Sequence, residues 1–300
     1  MRRSLLFLPG NQASLVQNGT VLPADALIFD LEDAVAADEK DSARNLVASA
    51  LRHLDFGRRE KIVRVNDDKS LGEKDIRAVV LAGADTIMPP KTAGSTLLKE
   101  IEVLLDEIER EAGIEQGSTK LMPLLETAAG IEFAYESARA SARVVALALG
   151  GEDLAADLGC SRSKEGKELL YSRQRLIIAA RAAGIEAIDT PFTDAHDNAG
   201  LLEDALLAKS LGFSGKLAIS PQHLKGIHQA FTPTEAEIDY ALEVVKAMEE
   251  GLRSGIAAVS LRGKMIDKPV VEQAERTLEI ARALGLPVAN RENADVEQRI

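Results

Sequence analysis

Tryptophan, cysteine, tyrosine, histidine and long apolar runs are what this chain of 300 residues has least of. The single cysteine, Cys160, excludes an intrachain disulfide and any metal cluster built on thiolates, and it fits a reducing compartment. No window approaches the ~20 apolar residues of a membrane-crossing helix. The start, with Arg2 and Arg3 before Leu5–Leu8, mimics a secretory leader, but Pro9, Gly10 and Asn11 stop the run short of the ~7–15 apolar residues such a leader needs. The expectation is a cytoplasmic protein with no membrane partner. The four histidines, His53, His196, His223 and His228, fall at no ligand spacing. Gly-x-Ser-x-Gly, Walker and early Gly-rich dinucleotide turns are absent. Acidic residues outnumber basic ones 48 to 36, for a net charge of −12. That balance argues against nucleic acid, whose phosphates demand clustered Lys and Arg, yet leaves room for one anionic small ligand at a local basic site.

What is present is a rhythm. Eight short apolar runs recur: Leu5–Leu8, Ala26–Leu31, Ile62–Val65, Thr86–Met88, Leu121–Leu125, Val144–Leu149, Ala187–Asp189 and Leu217–Ile219. Continuous apolar strands alternating with helical segments signal parallel βα units, because crossover helices cover both sheet faces. Between them, Ala43, Leu46, Val47, Ala50, Leu51 and Leu54 form one helical stripe, and Leu98, Ile101, Leu105 and Ile108 another. Gly184 follows a third as a C-cap. Eight such units predict an α/β fold of the (β/α)8 TIM-barrel type over 1–232, with a C-terminal helical and hairpin extension over 233–300. In that extension Thr234 and Glu237 match a capping box, Ala258–Ile266 reads as a hairpin, Pro269 opens a last helix, and the polar residues from about Asn290 read as frayed.

Barrel chemistry sits where strands end. Those ends supply Asp30, Glu32 and Asp33, then Arg64, Lys91, Glu126, Asp153 and Asp189. Glu126 and Asp153 follow the fifth and sixth strands, neighbours ~4.8 Å apart in a barrel. Either acid alone reads as a helix cap. Together they read as a Mg²⁺ site, since Mg²⁺ takes one or two carboxylates and leaves the rest to water and substrate. Glu32 and Asp33 would support metal-bound water from behind the ligands, or cap a helix. Arg64 would grip a substrate carboxylate, against a purely structural pairing with Asp30. Lys91 raises Schiff-base aldolase chemistry as a rival, which needs a desolvated lysine.

These strand ends resemble the citrate lyase β-subunit-like family, which lies within the HpcH/HpaI aldolase superfamily and includes malyl-CoA and citramalyl-CoA lyases. The resemblance runs from Arg3 to about Ala274 through RRSLLFLPG, DLEDAV, RVN, MPPK, LLETAAGI, GGEDLAADLG ending at Gly159, and GKMIDKP. It implies Mg²⁺ held by Glu126 and Asp153, a substrate-binding Arg64, and a basic stretch at Lys40 and Arg44 associated with the CoA nucleotide. It implies that Asp267 acts on the acetyl carbon from an adjacent subunit, hence a homo-oligomer, trimer or hexamer. The bland reading of Asp267 is a cap on the helix opened by Pro269. The chain departs from the family pattern at Arg262, often Asp, at Ser220 before Pro221, often His, and at Gly151, often Ala. The implied reaction is cleavage of a β-hydroxyacyl-CoA of the citramalyl, malyl or citryl type to acetyl-CoA and a 2-oxo acid. The alternative is a citrate lyase β subunit that works on an acyl-carrier-protein thioester beside other subunits.

Overall fold

The computed structural model describes residues 1–253 and 258–288; the reading of the tail from about Asn290 lies outside them. The chain divides into two compact units, Arg2–Phe231 and a C-terminal one that begins at Thr232.

The first unit runs β1 (Ser4–Pro9), α1 (Ala13–Asn18), β2 (Ala26–Asp30), α2 (Lys40–His53), β3 (Glu60–Arg64), α3 (Lys69–Val80), β4 (Thr86–Met88) and α4 (Thr96–Ala112). It continues with β5 (Lys120–Leu121), β6 (Leu124–Leu125), α5 (Ala128–Glu132), α6 (Ala134–Ala138), β7 (Ala146–Leu149), α7 (Gly151–Asp157) and α8 (Leu170–Ala183). It ends with β8 (Glu186–Asp189), α9 (Asn198–Leu211), β9 (Gly215–Ala218) and α10 (His223–Phe231). All neighbouring strands are parallel, in the order β5-β4-β3-β2-β1-β9-β8-β7-β6.

The two ends of that order, β5 and β6, are halves of one strand. Pro123 has no N–H to give and interrupts the ladder between them. The segment still bonds on both sides. Met122 N–H donates to Ile87 O (2.9 Å) and Leu124 N–H to Pro89 O (3.0 Å), while Val145 N–H donates to Leu121 O (3.0 Å) and Ala148 N–H to Pro123 O (3.1 Å). The sheet therefore closes on itself as an eight-stranded barrel, as expected from the eight runs.

Period-two alternation sorts the strand residues. Leu5, Ile28, Ile62, Met88, Met122, Leu124, Ala148, Ile188 and Leu217 fill the barrel. Their neighbours Leu6, Phe29, Val63, Ile87, Leu125, Leu147 and Ala187 face outward to Val47, Ile76, Leu98 and Leu176 of the helices. Helix ends follow local chemistry: Asp68, Thr127 and Asp197 cap α3, α5 and α9 through side-chain oxygens, and Gly113, Gly184 and Gly212 close α4, α8 and α9 in the left-handed conformation.

The second unit holds α11 (Glu235–Arg253), β10 (Val259–Leu261), β11 (Lys264–Ile266) and α12 (Lys268–Ala283). The capping box forms as expected: Thr234 N–H donates to Glu237 Oε2 (2.7 Å) and Glu237 N–H to Thr234 Oγ1 (3.2 Å). Ile238, Ala241, Val244 and Met248 pack with Ile266, Ala274, Leu278 and Ala281 to make this unit's own core. The hairpin turns at Arg262 and Gly263, both at positive φ.

Candidate active site

The same alternation that builds the core aims the site. Counting in twos from interior Ala26, Ile62 and Leu124 brings Asp30, Arg64 and Glu126 to the inward side at the C-terminal mouth. Asp30, Arg64 and Glu126 are all buried, at 2%, 8% and 2% exposure. With Phe7, Gly150 and Asp153 they line a cavity of about 430 Å³. Asp189 falls on the other parity. It points into the helix layer, where Arg173 and Lys216 bind it, so it is not part of the mouth.

Arg64 is held by Asp30 in a two-pronged pair, Nε to Oδ1 at 2.8 Å and NH2 to Oδ2 at 2.6 Å. NH1 meets Glu32 Oε2 at 2.9 Å and Asp33 Oδ2 at 3.2 Å, and the guanidinium lies 5.2 Å from the Phe7 ring centre. Burial opposes its charge, but Asp30, Glu32 and Asp33 outweigh that and raise its pKa further. A guanidinium has five N–H groups; Asp30 takes two, NH1 faces Glu32 and Asp33, and one NH2 hydrogen is left for another acceptor. Burial raises Glu32, helped by its hydrogen bond with Asp33, while Asp33 is lowered because that bond and the Arg64 and Lys91 charges overcome its own burial.

Glu126 carries the electrostatic signature of the site. Burial pushes its carboxyl up to about 8; the Lys91 N–H and Arg64 pull the other way, while Asp153 and Glu32 add repulsion. Oε1 accepts the Lys91 N–H at 2.8 Å. A Cβ at Gly150 would stand 2.5 Å from Oε2, so the glycine makes the room that Glu126 occupies. Among the described residues no group of three or more Asp, Glu, His or Cys side chains is arranged to hold a metal ion by itself. Glu126 and Asp153 offer two hard carboxylate donors, and burial disfavours the charged form of Glu126 unless a cation balances it. A divalent cation that completes its shell with water or ligand oxygens fits that need.

A family model, HpcH/HpaI aldolase/citrate lyase, matches residues 3–221. The chain belongs to this family. It is 46% identical to citrate lyase subunit beta of Escherichia coli over 286 residues, 95% of each chain. It is 32% identical to mitochondrial citramalyl-CoA lyase of Homo sapiens, over 94% of this chain and 86% of the relative. The structure of CitE from Mycobacterium tuberculosis in complex with magnesium, acetoacetate and coenzyme A superposes with a TM-score of 0.75 at 30% identity, covering 94% of this chain and 98% of that one. The family makes this chain a carbon–carbon lyase.

Within the citrate lyase framework the expected residues separate into groups. Arg64, Glu32, Asp33, Glu126 and Asp153 come together at the mouth. Lys40 and Arg44 have structural partners: Lys40 Nζ donates to Leu31 O (2.9 Å) and Glu32 O (2.6 Å), while Arg44 binds Asp75 and Asp41, each at 2.6 Å. Asp267 belongs to the C-terminal unit, where its side chain accepts the Val270 N–H at the start of α12. Lys91 is no desolvated amine. The hydrogen bond to Glu32 (2.9 Å), and after it that to Asp67 (3.1 Å), raise its pKa, the wrong direction for an imine-forming lysine. The sequence reading missed two supports. One is Asp75, fully buried on α3, which holds Arg44 and the Asn66 side chain (2.7 Å). Its signal was one acid on an otherwise apolar helix face. The other is Gly150, visible only as half of a glycine pair.

Proposed function

We propose that this chain cleaves a β-hydroxyacyl thioester of the citryl, citramalyl or malyl type to an acetyl thioester and a 2-oxo acid, with Mg²⁺ held by Glu126 and Asp153. The observation that carries this reading is Glu126: a buried carboxylate with a pKa near 8, beside a second carboxylate, at the mouth of a family barrel. Mg²⁺ would supply Lewis-acid polarisation and a template for the oxo-acid oxygens. Arg64, fixed by Asp30, holds positive charge beside the oxygen that becomes a ketone. Glu32 and Asp33 steady that guanidinium and set the charge behind the ligands. The hydroxyl proton passes to water at the mouth, the alkoxide oxygen becomes the ketone as the carbon–carbon bond breaks, and the electron pair of that bond passes into the thioester as an enolate. Asp267, on the extension 233–300 of a neighbouring copy in a trimer or hexamer, then protonates the acetyl carbon.

Two observations favour a carrier-bound substrate over free CoA. Lys40 and Arg44 are engaged by protein groups, and the E. coli relative is a citrate lyase subunit. The test is cleavage of citryl-, citramalyl- and malyl-CoA, and of the same acyl groups on an acyl-carrier protein, with Mg²⁺ and with EDTA. Mg²⁺-dependent release of one acetyl thioester is expected. Activity that survives EDTA overturns the roles of Glu126 and Asp153.

A further inference from the structure

Lys91 touches more of the site than any other residue of its loop, and it does so from a strained backbone. Its φ of 49° is left-handed; among the described residues only Arg262 shares that state without being glycine. Pro89 and Pro90 fix the approach. Thr92 N–H clips the turn to Leu124 O at 3.1 Å, and Thr92 Oγ1 bonds back to Pro89 O at 3.1 Å. The turn thereby presents the Lys91 N–H to Glu126 Oε1 at 2.8 Å. At the other end of the same residue, Nζ binds Glu32 Oε1 at 2.9 Å and Asp67 Oδ2 at 3.1 Å.

A left-handed backbone is unfavourable for any residue with a Cβ. Something must hold it, and the two carboxylates on Nζ are placed to do so. We propose that Lys91 is a positioning residue: ion pairs of its ammonium with Glu32 and Asp67 hold the left-handed turn that aims its N–H at Glu126, and so set the carboxylate that receives the cation. The proposal rests on the metal reading of Glu126.

The arrangement predicts an unusual order of variants. Lys91→Ala keeps the strain and loses the ion pairs, so the turn relaxes and the N–H leaves Glu126. Lys91→Gly also loses the ion pairs, yet glycine adopts positive φ at no steric cost, so the N–H stays. Mn²⁺ affinity by titration calorimetry on the purified full chain is expected to fall about tenfold in Lys91→Ala and to return to within about threefold of wild type in Lys91→Gly, on the scale typical of groups that orient metal ligands. Excess Mn²⁺ should restore thioester cleavage to Lys91→Ala, because the defect acts through Glu126. Metal-free melting temperatures show that each variant is folded, and Lys91→Gln, which keeps the strain but loses the cation, serves if Lys91→Ala is not. Equal affinity in glycine and alanine variants, or a loss in Lys91→Ala that excess Mn²⁺ leaves untouched, overturns the proposal while the metal reading stands. A wild-type chain that binds no Mn²⁺ overturns both.

Discussion

Adding one methyl group at Gly150 tests the site more sharply than removing a ligand. The new Cβ would lie 2.5 Å from Glu126 Oε2 and 2.6 Å from Glu126 Cβ, nearly 1 Å inside ordinary carbon contact. Oε1 cannot simply retreat, because Lys91 N–H holds it at 2.8 Å, and Glu126 Cβ belongs to the strand end itself. Overpacking of this kind costs about 1–3 kcal/mol. In a domain of this size that lowers the melting temperature by roughly 2–4 °C per kcal/mol. Displacing a ligand through its support weakens metal binding by about 10–100-fold. Gly150→Ala should therefore melt lower than wild type without metal, and the gap should widen in saturating Mg²⁺. Gly151→Ala is the control. Its Cβ would meet Thr190 Oγ1 at 2.6 Å, Leu169 Cδ1 at 2.8 Å and Thr190 Cβ at 3.2 Å, so it too should lower stability, but none of these atoms belongs to Glu126 and Mg²⁺ binding should survive. Equal Mg²⁺ affinity in Gly150→Ala and wild type, read by calorimetry, would refute the placement of Glu126 as ligand.

Two further outcomes follow from ion pairs away from the mouth. Arg173 and Lys216 share Asp189 and Asp204 in a buried quartet with distances from 2.5 to 3.0 Å. Arg173→Met leaves two buried carboxylates to one lysine and should cost about 3–5 kcal/mol in urea unfolding; a loss below 1 kcal/mol contradicts the quartet. Glu109 is pulled upward by burial, but hydrogen bonds from Arg143 and from the Thr119 and Gly117 amides bring it down to about 2. Its folded pKa lies below its ordinary 4.5, so its stabilisation is present above that value and fades as the pH falls toward 2. Allowing for solvent near Asp106, the contribution is about 1–3 kcal/mol. Glu109→Gln should flatten the acid limb of stability between pH 5 and 2; an unchanged slope would place the acid sensitivity elsewhere.

The barrel could be read from sequence because each strand is a short continuous apolar run, and such runs have one comfortable home, between a filled interior and a helix layer. Pro123 did not hide the fifth strand, since Leu121–Leu125 kept its apolar character across the interruption. Strand-end position alone was a blunter guide. It counts Asp189 among the strand-end residues of the rim, although period-two counting from Ile188 sends it outward. It offered Arg64 to substrate or to Asp30, and the structure shows the Asp30 pair, with Glu32 and Asp33 on NH1 and one NH2 hydrogen left over. Lys91 was weighed as an amine, whereas its backbone N–H does the work at Glu126. Backbone donors carry no residue label, so no pattern of side chains could have announced that bond.

The interruption at Pro123 also shortens the ladders on the side of the barrel where the site sits. β1 and β2 pair along five residues, but β5 meets β4, β6 meets β7 and β8 meets β9 along two each, the first two of these at Pro123. Protection against hydrogen exchange tracks such ladders, and the shortest ones open first. The amides of Leu124, Leu125 and Ala146–Leu149 should exchange before those of β1 and β2. Glu126 and Gly150 sit at the end of that seam, so a cation bound to Glu126 and Asp153 would act as a rivet across it, and metal binding would register as slowed exchange along one side of the barrel alone.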